Sequence, residues 1–412
     1  MSQSSIIAGE VPATGTQDES YPRKALIASA LGYGLDGFDL LILGFMLAAI
    51  RTDLGLSPGE VGSLATWTLI GAVLGGIGFG LLSDRYGRVR VLSWTILVFA
   101  LFTGLSALAQ GYWDLAFDRL LAGLGLGGEF GIGMALVAEA WPAAKRARVS
   151  SYVGLGWQAG VLAAALVTPL LLPIIGWRGM FLVGLLPALV SFVVRRMVGE
   201  PELFRSRVAT PPFGALRLLV KDAATAKISL GMLILCSVQN FGYYGLMIWM
   251  PSYLSRTFGF SLPQAAVWTS VTIAGMAVGI WCFGQLADRI GRRPSFVLYQ
   301  LGAIVMVIVY SRIAEPNAAL IGGAVLGFFV NGMLGGYGAL MSELYPTEAR
   351  ATAQNVLFNL GRAVGGFGPV VIASLAAAYS WQTAIAFLAS LYALDILATA
   401  FLIPERRGAE LT

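Results

Sequence analysis

The chain has 412 residues, 57% hydrophobic and 12% charged, with a net charge of +5 and no histidine. That is about half the charged fraction of an ordinary soluble protein, and apolar runs of about 20 residues, long enough to cross a hydrocarbon layer of about 30 Å, recur along almost the whole length. Most soluble classes are excluded in favour of an all-α integral membrane protein, and the basic excess belongs to membrane topology, with the lipid bilayer and not nucleic acid as partner.

Residues 1–22 hold no basic stretch followed by an apolar core and read as a disordered, solvated tail, not a cleaved signal. The apolar runs then predict twelve transmembrane spans, at 24–50, 60–82, 89–109, 114–141, 147–172, 178–197, 227–254, 263–287, 294–313, 317–344, 351–376 and 381–403. Six fall in 23–197 and six in 227–403; 198–226 is a polar connection and 404–412 a second tail. An even number places both termini on one side. Connections on that side carry 21 Lys and Arg, while the opposite ones carry only Arg51, Arg178, Arg256 and Arg312. The positive-inside rule therefore predicts cytoplasmic termini. Cys236 and Cys282 lie inside apolar runs and read as packing residues, not a disulfide.

Sliding the chain on itself by 204 residues lays "GLLSDRYGRVR" from Gly80 over "GQLADRIGRRP" from Gly284. The same shift carries Glu139, Pro142 and Arg146 onto Glu343, Pro346 and Arg350, and Trp177 onto Trp381. One register across so many landmarks is an internal repeat, and it predicts two six-helix bundles with a pathway between them.

The stretch "GYGLDGFDLLILGFML" places Asp36 and Asp39 near the middle of the first span. An ion at such a depth costs ~2.5–3.5 kcal/mol on insertion scales, so each is expected to line a cavity or hold a partner. The two lie ~4.5 Å apart along the axis and ~60° around it, close enough to repel as anions and so to favour binding a proton. Without histidine, proton coupling has to fall on carboxylates. Glu129, near the centre of the fourth span, is the third candidate, and Arg119 on that span stands at the height of Asp39. Arg362 lies at mid-depth in the eleventh span, where its planar fork suits a carboxylate ligand. The shift of 204 sets Gln158 opposite Arg362 and Asn240 opposite Asp36, so that neutral amides replace ions at symmetric points. Further candidates for the substrate site are Asn331 and Asn359, with Tyr33, Trp157, Gln239, Tyr243, Tyr244, Tyr337 and Asn355 individually ambiguous. Asp118 and Asp395 read as structural. The glycines at 123–133 lie within a span and suit close helix packing. No Gly-Lys pair, cysteine cluster or serine-centred constellation supports nucleotide, metal or enzyme chemistry. No cofactor is expected beyond the proton.

The paired loops at 80 and 284 resemble the signature of the major facilitator superfamily, over nearly the entire chain. Within it, "DGFD" at 36–39 and "RLLAGLGLGGEFGIGMALVAEAWP" at 119–142 resemble the proton-coupled organic-acid symporters, the sialate and lactate branch first and the aromatic-acid branch next. The resemblance implies alternating access. It also implies a cytoplasmic gate of Asp84, Arg85, Arg88, Asp288, Arg289 and Arg292, with Glu139–Arg146 and Glu343–Arg350 as further latches. The expected function is proton-coupled symport of a small organic acid by a monomer in the cell membrane, a bacterial inner membrane. The alternatives are proton-driven export of drugs or metabolites on the same fold, and a non-transporting membrane sensor.

Overall fold

A computed structural model describes residues 20–185, 189, 192–193, 196, 198–205 and 214–411. Its long helices are α1 (Tyr21–Leu54), α2 (Pro58–Tyr86), α3 (Arg88–Ser106), α4 (Tyr112–Ala140), α5 (Arg146–Val183), α6 (Ala223–Phe258), α7 (Leu262–Ile290), α8 (Arg292–Tyr310), α9 (Pro316–Gly332), α10 (Leu334–Leu344), α11 (Arg350–Gly365), α12 (Gly368–Ala378) and α13 (Trp381–Leu402). Among the described residues there are 11 helical segments long and apolar enough to cross a membrane. The expected sixth span begins as a continuation of α5 past a kink at Gly176, and much of 186–197 lies outside the described residues, as does most of the expected tail 1–22.

The repeat is visible in the helix ends. Shifting α2 and α3 by 204 residues reproduces the bounds of α7 and α8, and α4 maps onto α9 and α10 together. The local reasons repeat as well. Ser57 starts α2 in a capping box with Glu60, and Ser261 starts α7 in one with Gln264. Gly87 (φ 119) and Gly291 (φ 108) take the positive φ that turns one helix directly into the next.

From Gly125 to Ala138 α4 is buried on all sides, and its glycines make that possible: a Cβ at Gly127 would lie 2.0 Å from the Ala72 carbonyl oxygen on α2. Large apolar side chains such as Leu74, Leu101, Leu166, Val278 and Leu397 stand exposed around the outside, as a lipid-facing surface requires.

Two helices are broken at mid-depth in the C-terminal bundle. α9 gives way to α10 at Met333, and α11 to α12 at Gly366 and Phe367. The second break follows from "GGFGP": glycines hold a helix weakly, and Pro369 has no N–H to continue the ladder. It leaves Arg362 in the last turn of α11, where exposed carbonyl ends favour a cation.

Candidate functional site

Asp36 on α1 and Arg362 on α11 meet between the bundles. Arg362 Nη2 donates to Asp36 Oδ2 at 2.8 Å, and the side chains are 3% and 0% exposed. Asp36 Oδ1 and Arg362 Nε make no hydrogen bond, so the pair leaves capacity on each side unused. The Arg362 guanidinium also lies 5.3 Å from the Trp157 ring centroid and 5.8 Å from that of Phe358.

Around Arg362 lies a small cavity lined by Tyr33 and Trp157 from the N-terminal bundle and by Asn240, Tyr243, Tyr244 and Phe358 from the other. Gln239 and Asn331 complete its polar lining. Trp157 Nε1 donates to the Tyr243 hydroxyl at 3.4 Å across the seam. The space left is ≈ 10 Å³, about one water. A larger guest enters only if the Asp36–Arg362 pair and its aromatic walls part.

Asp39 belongs to a different unit. Its two oxygens each accept from Arg119 Nη1 at 3.1 Å, as the matched heights predict. Arg119 is further held by Ser106 and Thr103 on α3 and lies 4.7 Å from the Phe181 ring centroid. Asp36 and Asp39 therefore do not stand as an unpaired couple, since each is held by an arginine of its own. A 60° difference in azimuth is enough to send Asp36 across the seam and Asp39 inward, each to its own arginine.

Glu129 is also turned away from the cavity. It accepts from Thr95 Oγ1 on α3 at 2.5 Å and is 2% exposed, inside the N-terminal bundle. Four of the expected substrate contacts lie elsewhere too. Asn355 Oδ1 accepts from Gly131 N at 2.8 Å, and Asn359 Nδ2 donates to the Gly127 carbonyl at 2.9 Å, so both amides clasp the α4 backbone. A Cβ at Gly131 would sit 2.4 Å from Asn355 Oδ1, which is why a glycine stands there. Tyr337 donates to the Leu235 carbonyl and packs edge-on to Phe296. Gln158 is buried with neither amide atom hydrogen-bonded, but it does not line the cavity. Asp395 finds Gln300, at 2.9 Å, a partner the sequence does not suggest. Cys236 and Cys282 are free thiols.

At the end that carries the termini, the bundles are joined by a symmetric network. Asp84 accepts from the backbone N–H groups of Ala351 and Thr352 at 3.3 and 2.7 Å, capping α11 of the other bundle. Asp288 does the same for Ala147 and Arg148 at the start of α5, at 3.1 and 3.0 Å. Arg88 holds Asp84 and Glu139, and Arg292 holds Asp288 and Glu343.

The glutamates then exchange partners relative to expectation. Arg350 pairs with Glu139 at 2.8 Å and Arg146 with Glu343 at 3.0 Å, each across the seam and not within its own half. Arg85 and Arg289 are exposed, because one residue beyond Asp84 or Asp288 is 100° around the helix.

Two elements of this end carry little sequence signal. Glu200 accepts from the N–H groups of Arg88 and Arg90, and Glu405 from those of Arg292 and Arg293, docking the segment after each bundle onto its signature loop. Their spacing of one residue more than the repeat is the only hint. Deeper in the seam, Phe130 on α4 stacks at 3.8 Å between centroids on Phe358, which lines the cavity, a contact that no spacing announces.

Comparison with known proteins bears on this architecture. A protein of Haemophilus influenzae under the name "Putative metabolite transport protein" is 66% identical over 400 residues, covering 95% of this chain and 98% of the relative. The cis,cis-muconate transport protein of Acinetobacter baylyi is 30% identical, covering 93% and 94%. Among solved structures, the proton:xylose symporter XylE with a bound bromodeoxyglucose superposes with a TM-score of 0.81 at 19% identity, covering 95% and 98%. The family model described as Major Facilitator Superfamily matches residues 29–316 and 242–411. The chain is a multi-pass membrane transport protein, not an enzyme, and belongs to the major facilitator superfamily.

Proposed function

We propose that this protein is a proton-coupled symporter that carries a small carboxylate into the cell, with twelve spans and both termini in the cytoplasm. The carboxylate reading is supported by the name of the muconate-transporting relative, and the orientation by the 21 basic residues on the terminal side against four opposite. The observation that carries it is the buried Asp36–Arg362 pair bridging the bundles.

In the empty protein Asp36 neutralises Arg362. A proton on Asp36 frees the guanidinium, and a substrate carboxylate takes the vacated place. The proton alone would leave Arg362 as an unpaired buried cation, and the substrate alone would set two anions on one cation. Both are costly at low dielectric. Only joint occupancy restores neutrality and lets the bundles rock. The Asp84, Asp288, Glu139 and Glu343 network serves as the cytoplasmic latch, which closes when its ion pairs across the seam form. Asp39–Arg119 and Glu129 act as supports of the first bundle.

Proton flux into proteoliposomes provides the test. Adding a transported acid outside should raise external pH in step with substrate entry. Acidification, or uptake without proton movement, would refute symport.

A further inference from the structure

Gln239 on α6 and Asn331 on α9 line the same cavity as Arg362 and are 2% and 1% exposed. Gln239 Nε2 donates to Asn331 Oδ1 at 2.7 Å, while Gln239 Oε1 and Asn331 Nδ2 have no hydrogen-bond partner. The feature does not depend on which way the amides are turned. Reversing both leaves the same result, one free carbonyl oxygen beside one free amide NH₂.

Leaving such groups buried and unsatisfied is costly. The fold itself does not ask for them. At the matching positions of the first half, 204 residues earlier, stand Leu35 and Gly127. A donor and an acceptor held side by side in a cavity, without partners of their own, suit a ligand group that both accepts and donates.

We infer that Gln239 and Asn331 form a second reading point, and that the transported acid carries, besides its carboxylate, a neutral group that both donates and accepts a hydrogen bond, most simply a hydroxyl. This rests on the reading of Arg362 as the carboxylate anchor. Both anchors then belong to the C-terminal bundle, through α11 on one side and α6 with α9 on the other. The first bundle supplies Asp36 and the aromatic wall of Tyr33 and Trp157. Specificity and proton binding are thereby divided between the two halves.

The test uses the purified full chain and pairs of acids in which a hydroxyl is replaced by a methyl of similar size: lactate against isobutyrate, 3-hydroxybutyrate against isovalerate, and 4-hydroxybenzoate against 4-methylbenzoate. In calorimetric titration, at least one hydroxy acid should bind about tenfold or more tightly than its isostere. Gln239→Met and Asn331→Leu should each erase that preference by weakening the hydroxy acid alone. Equal or better binding of the methyl compound in all three pairs would overturn the inference, as would a preference that survives both substitutions. Should either variant misfold, the wild-type pairs decide by themselves. Failure of every acid to bind the wild type would instead strike the carboxylate reading beneath it, so the two failures are distinguishable.

Discussion

Arg362 and Asp36 neutralise one another across the seam between the two bundles, with Nη2 and Oδ2 2.8 Å apart and both side chains buried. In the proposed mechanism, a cation in one bundle and its counter-ion in the other make the resting contact and the coupling device the same object. Anything that neutralises one partner must be matched by something that satisfies the other.

Removing the cation alone leaves Asp36 buried without a partner. Arg362→Gln should abolish substrate binding and lower stability by up to about 3–5 kcal/mol at neutral pH. Lowering the pH should recover much of that loss, because the protonated Asp36 carboxyl no longer needs a cation. The double variant Asp36→Asn with Arg362→Gln should be nearly as stable as the parent while remaining inactive. Thermal unfolding and binding measured side by side separate these outcomes.

The Asp39–Arg119 pair should behave as a scaffold. Asp39→Asn strands Arg119 among Ser106, Thr103 and Phe181 and should destabilise the first bundle by about 3–5 kcal/mol. In protein that still folds, the pH dependence of substrate affinity should be unchanged. A shifted pH profile at full stability would make Asp39 part of the coupling after all.

How far the sequence alone could reach is seen in these same residues. Asp39 and Arg119 could be matched because rise per residue fixes their heights, and the 204-residue register anticipated helix bounds that recur in both halves. The rotation of Glu129 could not be read, since α4 around it, from Gly125 to Ala138, is buried on every side and has no polar stripe to orient it. A repeat also gives position within a half but not which half supplies the partner. Glu139 therefore takes Arg350, and Glu343 takes Arg146, against the pairing expected. Asn355 and Asn359 share the polar character of cavity amides and differ only in facing the glycine-paved surface of α4.

The latch should yield to mild substitution. Glu139→Gln and Glu343→Gln each weaken one arginine contact across the seam, so both should shift the population toward the form open at the terminal end. Labelling of a cysteine placed at Thr352, which is buried in the closed seam, should then speed up severalfold; a rate equal to the parent's in both variants would show that these pairs do not hold the gate.

Close approach at α4 gives a steric prediction. Gly131→Leu would drive a side chain into Asn355, whose Oδ1 already lies 2.4 Å from the position a Cβ would occupy. The variant should favour separation of the bundles at this level and lower the melting temperature. Cross-linking between cysteines placed on α4 and α11 below the cavity should fall accordingly.

Substrate affinity as a function of pH, in the parent and in Asp36→Asn, bears most directly on whether Asp36 gates the access of a carboxylate to Arg362. The parent should bind more tightly as pH falls, because protonation releases the arginine. Asp36→Asn should bind well and without pH dependence, exchange substrate across the membrane, and fail to accumulate it against a gradient. A pH-dependent affinity that persists in Asp36→Asn, or accumulation driven by a proton gradient in that variant, would place the coupling proton elsewhere and contradict the mechanism.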